Sequence, residues 1–164
     1  MSEIIQQQDS RRIFVNTLNE LAEKDSNIIV ITCDVGFNYL TDPNLKFRVL
    51  NLGVTEQSSI MIAVGLALSG FKIYFYSMIN FVLFRPYEMV RNGIVKHRAN
   101  VKLIGVKGSS AYRFLGFSHN LSHESEDIQA CSNIGLKGYC PTLEKVKETI
   151  IETYKDNSAC YIRL

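Results

Sequence analysis

The sequence predicts an α/β protein: a three-layer α/β/α sandwich built on a mostly parallel sheet of about six strands. Three observations carry that expectation. Short continuous apolar runs, such as Ile28-Ile29-Val30-Ile31-Thr32, recur along the chain. They lack polar alternation, so each strand needs cover on both faces, as strands of parallel sheets have. Segments of helical periodicity separate these runs, and such β-α repetition places helices on both faces of a sheet. The 164 residues are the length of one domain, so residues 1–164 are expected to form a single unit.

The elements follow in order. Asp9 or Ser10 can cap a first helix that runs to about Lys24, with Ile13, Phe14, Leu18, Leu21 and Ala22 on one face. Residues 28–32 are a β-branched strand. Residues 33–45 read as loop, with Gly36, Asn38, Asp42 and Pro43. Residues 47–50 are a short strand, and residues 60–68 a helix with Gly65 inside it and Gly70 at its end. A strand over 72–77 follows, then a helical segment over 81–97 that becomes regular past Pro86. Residues 101–106 are a strand again. Residues 107–123 form a long segment with two glycines, four serines and two histidines, the kind of loop that usually carries function. A short helix over 124–131, a strand over 136–140 ended by Pro141, a helix capped by Thr142 and a last strand over 159–164 complete the chain.

Composition narrows the function classes. With 46% hydrophobic residues and 21% charged residues, the chain can bury a full core. The net charge is +2 and the basic residues form no run, which gives no reason to expect nucleic acid or a membrane surface as a partner. The polar first twelve residues lack the apolar centre of a signal peptide, and the run 60–68 is too short to span a bilayer. Cys33, Cys131, Cys140 and Cys160 have no Cys-x-x-Cys spacing, so they read as reduced thiols of a cytoplasmic protein.

The stretch Asn51-Leu52-Gly53-Val54-Thr55-Glu56-Gln57 stands out. It joins the strand at 47–50 to the helix at 60–68 and delivers Glu56 to a strand-to-helix turn, where α/β folds place ligands. The residues beyond it, Ser58 to Ala63, are small or apolar. A carboxylate in such surroundings can exchange a proton or hold a protonated nitrogen.

Asn-x-Gly-x-x-Glu-Gln, then Gly65-Leu66-Ala67-x-x-Gly70, then an aromatic strand and Phe81-x-x-x-Arg85 together resemble the pyrimidine-binding domain of transketolase-type thiamine diphosphate enzymes. The resemblance runs from about residue 28 to the end of the chain. It implies that Glu56 is the carboxylate facing ring nitrogen N1′ of the cofactor's aminopyrimidine. It implies that Phe81 stacks on that ring, with Met78 and Phe84 at three-residue spacing on either side. Met78 stands where the family often has an aromatic residue. Arg85 falls in a helix read as interface and scaffold. Gly116-Phe117-Ser118-His119 resembles the family's Gly-x-Thr/Ser-His, whose histidine lies near the reacting sugar. His119 is therefore the catalytic and substrate-binding expectation, and His123 is the alternative. Leu115 stands where classical transketolases carry an Asp.

The same family holds the diphosphate and its divalent cation with Gly-Asp-Gly followed by Asn, and no Gly-Asp-Gly occurs here. The resemblance thus implies one half of a split transketolase. A diphosphate-binding subunit on a separate chain would hold Mg2+ or Ca2+, this chain would bind no metal, and the pair would form a hetero-oligomer such as α2β2. The implied reaction is transfer of a two-carbon ketol unit between sugars. Two alternatives remain open: a β-type subunit of a 2-oxoacid decarboxylase, dehydrogenase or acyloin-forming enzyme, and a non-catalytic stabilising subunit.

Overall fold

Five buried β-branched residues in a row cannot satisfy their backbone except by pairing on both sides, and residues 28–32 do so at the centre of the protein. In the computed structural model, which describes residues 9–106 and 114–164, strand β1 (Ile28–Thr32) is buried along its whole length. It pairs in parallel with β2 (Arg48–Asn51) and with β3 (Lys72–Met78). Strand β4 (Val101–Val106) extends the sheet beside β3, and β6 (Cys160–Arg163) and β5 (Lys137–Tyr139) complete it. The order is β2-β1-β3-β4-β6-β5 and every pair is parallel. The six strands and the two helical layers agree with the sequence expectation.

Helices cover both faces. Along β3, Ile73 and Phe75 enter one core with Ile60, Ala63 and Val64. Tyr74 and Tyr76, of opposite parity, enter the other with Phe14 and Leu18. The first core lies under α3 (Glu56–Leu68) and α5 (Glu126–Asn133), and the second under α1 (Ser10–Ala22) and α6 (Val146–Lys155). A short helix, α2 (Phe37–Leu40), interrupts the loop expected over 33–45.

Helix α1 shows which forces hold an element in place. Asp9 caps it by accepting from the Arg11 backbone N–H at 2.9 Å. Such a cap contributes about 1 kcal/mol. Phe14 and Leu18 are fully buried. Each of those burials contributes about 1.5–3 kcal/mol, so docking on the sheet outweighs the cap.

The segment expected as one helix over 81–97 is three pieces. Wide π-turns span Asn80–Phe84 and Val90–Val95, with a single α-turn, α4 (Tyr87–Met89), between them. Pro86 has no N–H to donate to an α-helical ladder at that point, and Arg85 N–H reaches back five residues to the Asn80 carbonyl at 2.9 Å.

The direction of strand addition reverses between β1 and β3. Ligands of parallel α/β sheets bind outside the carboxyl ends of the strands at such a reversal. The turn leaving β2, the end of β3 and the loop leaving β1 all lie at that edge of the sheet.

Candidate active site

The motif after β2 is built from backbone geometry upward. Asn51 Oδ1 accepts from the backbone N–H of Asp34 at 3.0 Å and of Gly53 at 3.1 Å, and Asn51 Nδ2 donates to Asp34 Oδ1 at 2.9 Å. Asn51 therefore ties the end of β2 to the loop after β1. Gly53 has φ +68°, in the left-handed region, although a Cβ there would meet nothing within 4 Å. The backbone turn, not lack of space, calls for glycine. Thr55 Oγ1 bonds the Leu52 carbonyl at 2.8 Å and lies 3.0 Å from Ser59 Oγ, which the Cys33 thiol meets at 3.4 Å. These bonds fix the turn, and α3 begins at Glu56, four residues earlier than the apolar run suggested.

Glu56 is 2% exposed. It sits on the first turn of α3, where the helix dipole favours an anion by about 0.3–1 kcal/mol. A full charge compensates it more strongly: Arg85 Nη1 donates to Oε1 at 2.8 Å and to Oε2 at 2.7 Å. The same guanidinium lies over the Phe81 ring, 4.0 Å from its centroid. Phe81 in turn meets the His119 ring edge-on, with centroids 4.9 Å apart at 85°. The 3-10 turn Phe117–His119 is held there because Asn80 Nδ2 donates to the Asn120 carbonyl at 3.2 Å. His119 Nδ1 lies 2.9 Å from Ser118 Oγ.

The structure thus brings Glu56, Phe81 and His119 together, with Arg85 and Asn80 as the residues that sequence reasoning missed. The Phe81-x-x-x-Arg85 spacing was the available signal for Arg85, since residues four apart share a helix face. Phe84 ends the π-turn, half-buried against the α3-side core. Met78 ends β3. It follows Tyr76 in parity and lines a cavity of about 380 Å³ with Arg11, Asp34, Tyr39, Tyr76 and Val106, on the α1 side of β3. His123 is exposed, and its Nδ1 lies 3.4 Å from Ser125 Oγ. Leu115 is 39% exposed. The first part of the long loop, residues 107–113, lies outside the described residues.

Below this loop a buried cluster anchors α5. Asp127 is fully buried and accepts from Tyr161 Oη at 2.6 Å and from Arg163 Nη1 at 3.1 Å. Burial, then the Asp127 charge, pushes the Tyr161 phenol far above its usual range, so it stays a donor. Glu126 adds a clamp by accepting from Ser122 N–H at 2.6 Å.

The fold and this geometry define a parallel α/β domain that sets a buried carboxylate, an arginine and an aromatic ring side by side at the carboxyl edge of the sheet. Comparison with known proteins agrees. The chain belongs to the transketolase pyrimidine-binding domain family, which it matches over residues 6–164. It is 35% identical to one subunit of an apulose-4-phosphate transketolase of Phocaeicola vulgatus, over 70% of this chain and 38% of that protein. It is 29% identical to a putative transketolase C-terminal section of Methanocaldococcus jannaschii, over 94% of this chain and 49% of that protein. A solved structure described as a split gene transketolase, inactive β4 tetramer, superposes with a TM-score of 0.79 at 23% identity, over 94% of this chain and 50% of that one, and shows the same fold. The chain spans half or less of the length of these relatives.

The family implies thiamine diphosphate, and the residues present fit its pyrimidine half. The donor set has an anion buried beside an aromatic ring, and Arg85, its one cationic partner among the described residues, is 40% exposed. Among the described residues, no cluster of three or more His, Cys, Asp or Glu side chains could hold a metal.

Proposed function

We propose that this chain is the pyrimidine-binding part of a transketolase-like enzyme that moves a two-carbon ketol unit between phosphorylated sugars. The buried Glu56 beside the Phe81 ring is the observation that carries this reading. Thiamine diphosphate, when bound, supplies the nucleophilic carbon that such chemistry needs. Glu56 holds a proton at N1′, Phe81 and Phe84 line the ring slot, and His119 handles substrate hydroxyl protons. Met78 borders the neighbouring cavity. His123 is the second choice for the histidine role, because it has no contact with Phe81 comparable to that of His119.

The diphosphate and its Mg2+ or Ca2+ belong, in this reading, to a second subunit in a cytoplasmic hetero-oligomer such as α2β2. The relatives named as a transketolase subunit and as a transketolase C-terminal section support that arrangement. No helix among the described residues is long and apolar enough to cross a membrane.

The test is to co-express the chain with a diphosphate-binding transketolase subunit and offer, separately, a ketose phosphate and a 2-oxoacid. Ketol transfer from the ketose phosphate is the expected result. Turnover of the 2-oxoacid alone would move the chain to the dehydrogenase-type alternative. A complex inactive on both would assign it a non-catalytic role.

A further inference from the structure

We propose that Arg85 is a positioning residue that closes over Glu56 and Phe81 together, so that an aminopyrimidine reaches either one only when the guanidinium swings away. This rests on the cofactor reading above. Glu56 is 2% exposed, and the Arg85 guanidinium lies against its carboxylate. Both carboxylate oxygens are engaged by one nitrogen, Nη1. The guanidinium carbon lies 4.0 Å over the Phe81 centroid, which is the layer that a stacked heterocycle would occupy. One cation therefore holds both surfaces that the pyrimidine needs.

Arg85 is also built to move at its tip and not at its base. Its backbone N–H is bonded to the Asn80 carbonyl at 2.9 Å, and its carbonyl accepts from Gln57 Nε2 at 3.4 Å. The side chain is 40% exposed, and among the described residues its guanidinium makes no hydrogen bond except to Glu56. Opening is a swing toward water, and it is balanced only when a ring that takes a proton from solvent at N1′ presents that N–H to the carboxylate in place of Nη1.

The consequence is kinetic. An entering ring must wait for the open state, so its apparent association rate is reduced by the open fraction. The experiment uses the complex with the diphosphate-binding subunit and follows thiamine diphosphate with Mg2+ by stopped flow. Four proteins are compared: wild type, Arg85→Gln, Glu56→Gln and the double variant. Arg85→Gln is expected to associate faster by about tenfold, the factor imposed by a guanidinium closed about nine-tenths of the time. That gain should vanish in the Glu56→Gln background, because the charge that held the guanidinium shut is gone. An arginine with a merely structural role would lower binding equally in both backgrounds.

An unchanged or slower association of Arg85→Gln, in a wild-type complex that binds the cofactor, overturns the proposal and leaves the cofactor reading intact. A second measurement on the isolated chain separates the two failures. Side-chain nitrogen NMR should show hindered rotation of the Arg85 guanidinium in wild type and free rotation in Glu56→Gln. Hindered rotation in a complex that binds no thiamine diphosphate overturns the cofactor reading, and this proposal with it.

Discussion

Lys102 lies on β4 with 1% exposure, so its charge must be answered locally. Nζ donates to the Asp156 carbonyl at 2.7 Å and to the Asn100 side-chain oxygen. Burial nevertheless pushes the ammonium pKa down to about 8 from the ordinary 10.5. Below about 8 the lysine is protonated in the folded and unfolded chains alike. Between that value and its ordinary one the unfolded chain binds more protons, so this group makes stability rise with pH. Lys102→Met keeps the stem and removes the titration. The melting temperature of wild type minus that of Lys102→Met should therefore grow between about pH 7 and about pH 10, other titrations cancelling in the difference. A flat difference in thermal melts would show that the ammonium is not desolvated as the structure has it.

Glu56 belongs to the same scale, with the opposite demand: in the proposed function its buried carboxyl group serves chemistry. Glu56→Gln preserves shape but cannot supply a proton to N1′ as a carboxylate does. Loss of one acid–base role typically lowers rate by ~10²–10⁴-fold. The amide oxygen can still accept from Arg85, so the fold should hold. Hydrogen–deuterium exchange at the cofactor C2 in the reconstituted complex is the measurement, and slow exchange with an intact complex is expected. Exchange within a few-fold of wild type would remove Glu56 from the mechanism.

At the scale of elements, the fixed parts and the readable parts coincide. Residues 28–32 were legible as a doubly covered strand because five β-branched residues in a row, four of them apolar, allow little else. The Glu56 turn was legible because Asn51, Gly53 and Thr55 each have a local backbone task. The π-turns within 80–95 were not, because helical periodicity cannot separate α from π over so few turns. The side of β3 that Met78 takes and the partner of Arg85 are tertiary facts of the same kind.

Gly105 was read only as part of a strand, yet its reason is a long-range contact. A Cβ there would lie 2.5 Å from Tyr161 Oη, the phenol that donates to buried Asp127. Gly105→Ala must push that ring aside, and such overpacking costs about 1–3 kcal/mol. The bond to Asp127 goes with it, which loosens α5 and the loop that carries His119. Urea unfolding should show the lower stability, and the phenylalanine replacement of Tyr161 should not restore it, because the ring carbons 2.6 and 2.8 Å from the added Cβ remain. Equal stability of Gly105→Ala and wild type would mean that β4 and β6 shift apart without strain.

For the whole molecule, the telling feature is the outer side of α3. A helix that covers a sheet should be polar on its far face, yet Met61, Ile62 and Leu68 are 48%, 45% and 60% exposed, with no charged residue between Gln57 and Ser69. In the proposed function another subunit covers this exposed apolar face, as large apolar patches often mark interaction sites. It grows from the same helix that begins with Glu56, so an assembly that buries it also walls the site from water. The proposed diphosphate-binding subunit is the partner that this arrangement calls for, and two consequences can be measured together. The isolated chain should bind thiamine diphosphate with Mg2+ only weakly in calorimetry, since the metal and diphosphate ligands are assigned to the other subunit. Ile62→Glu, which sets a charge in the middle of the apolar face without touching Glu56, should leave the chain folded but lower the mass of the co-purified complex in light scattering. Cofactor binding and ketol transfer should fall with it. Full assembly of Ile62→Glu would place the subunit contact elsewhere, and sub-micromolar cofactor binding by the chain alone would remove the need for a second subunit.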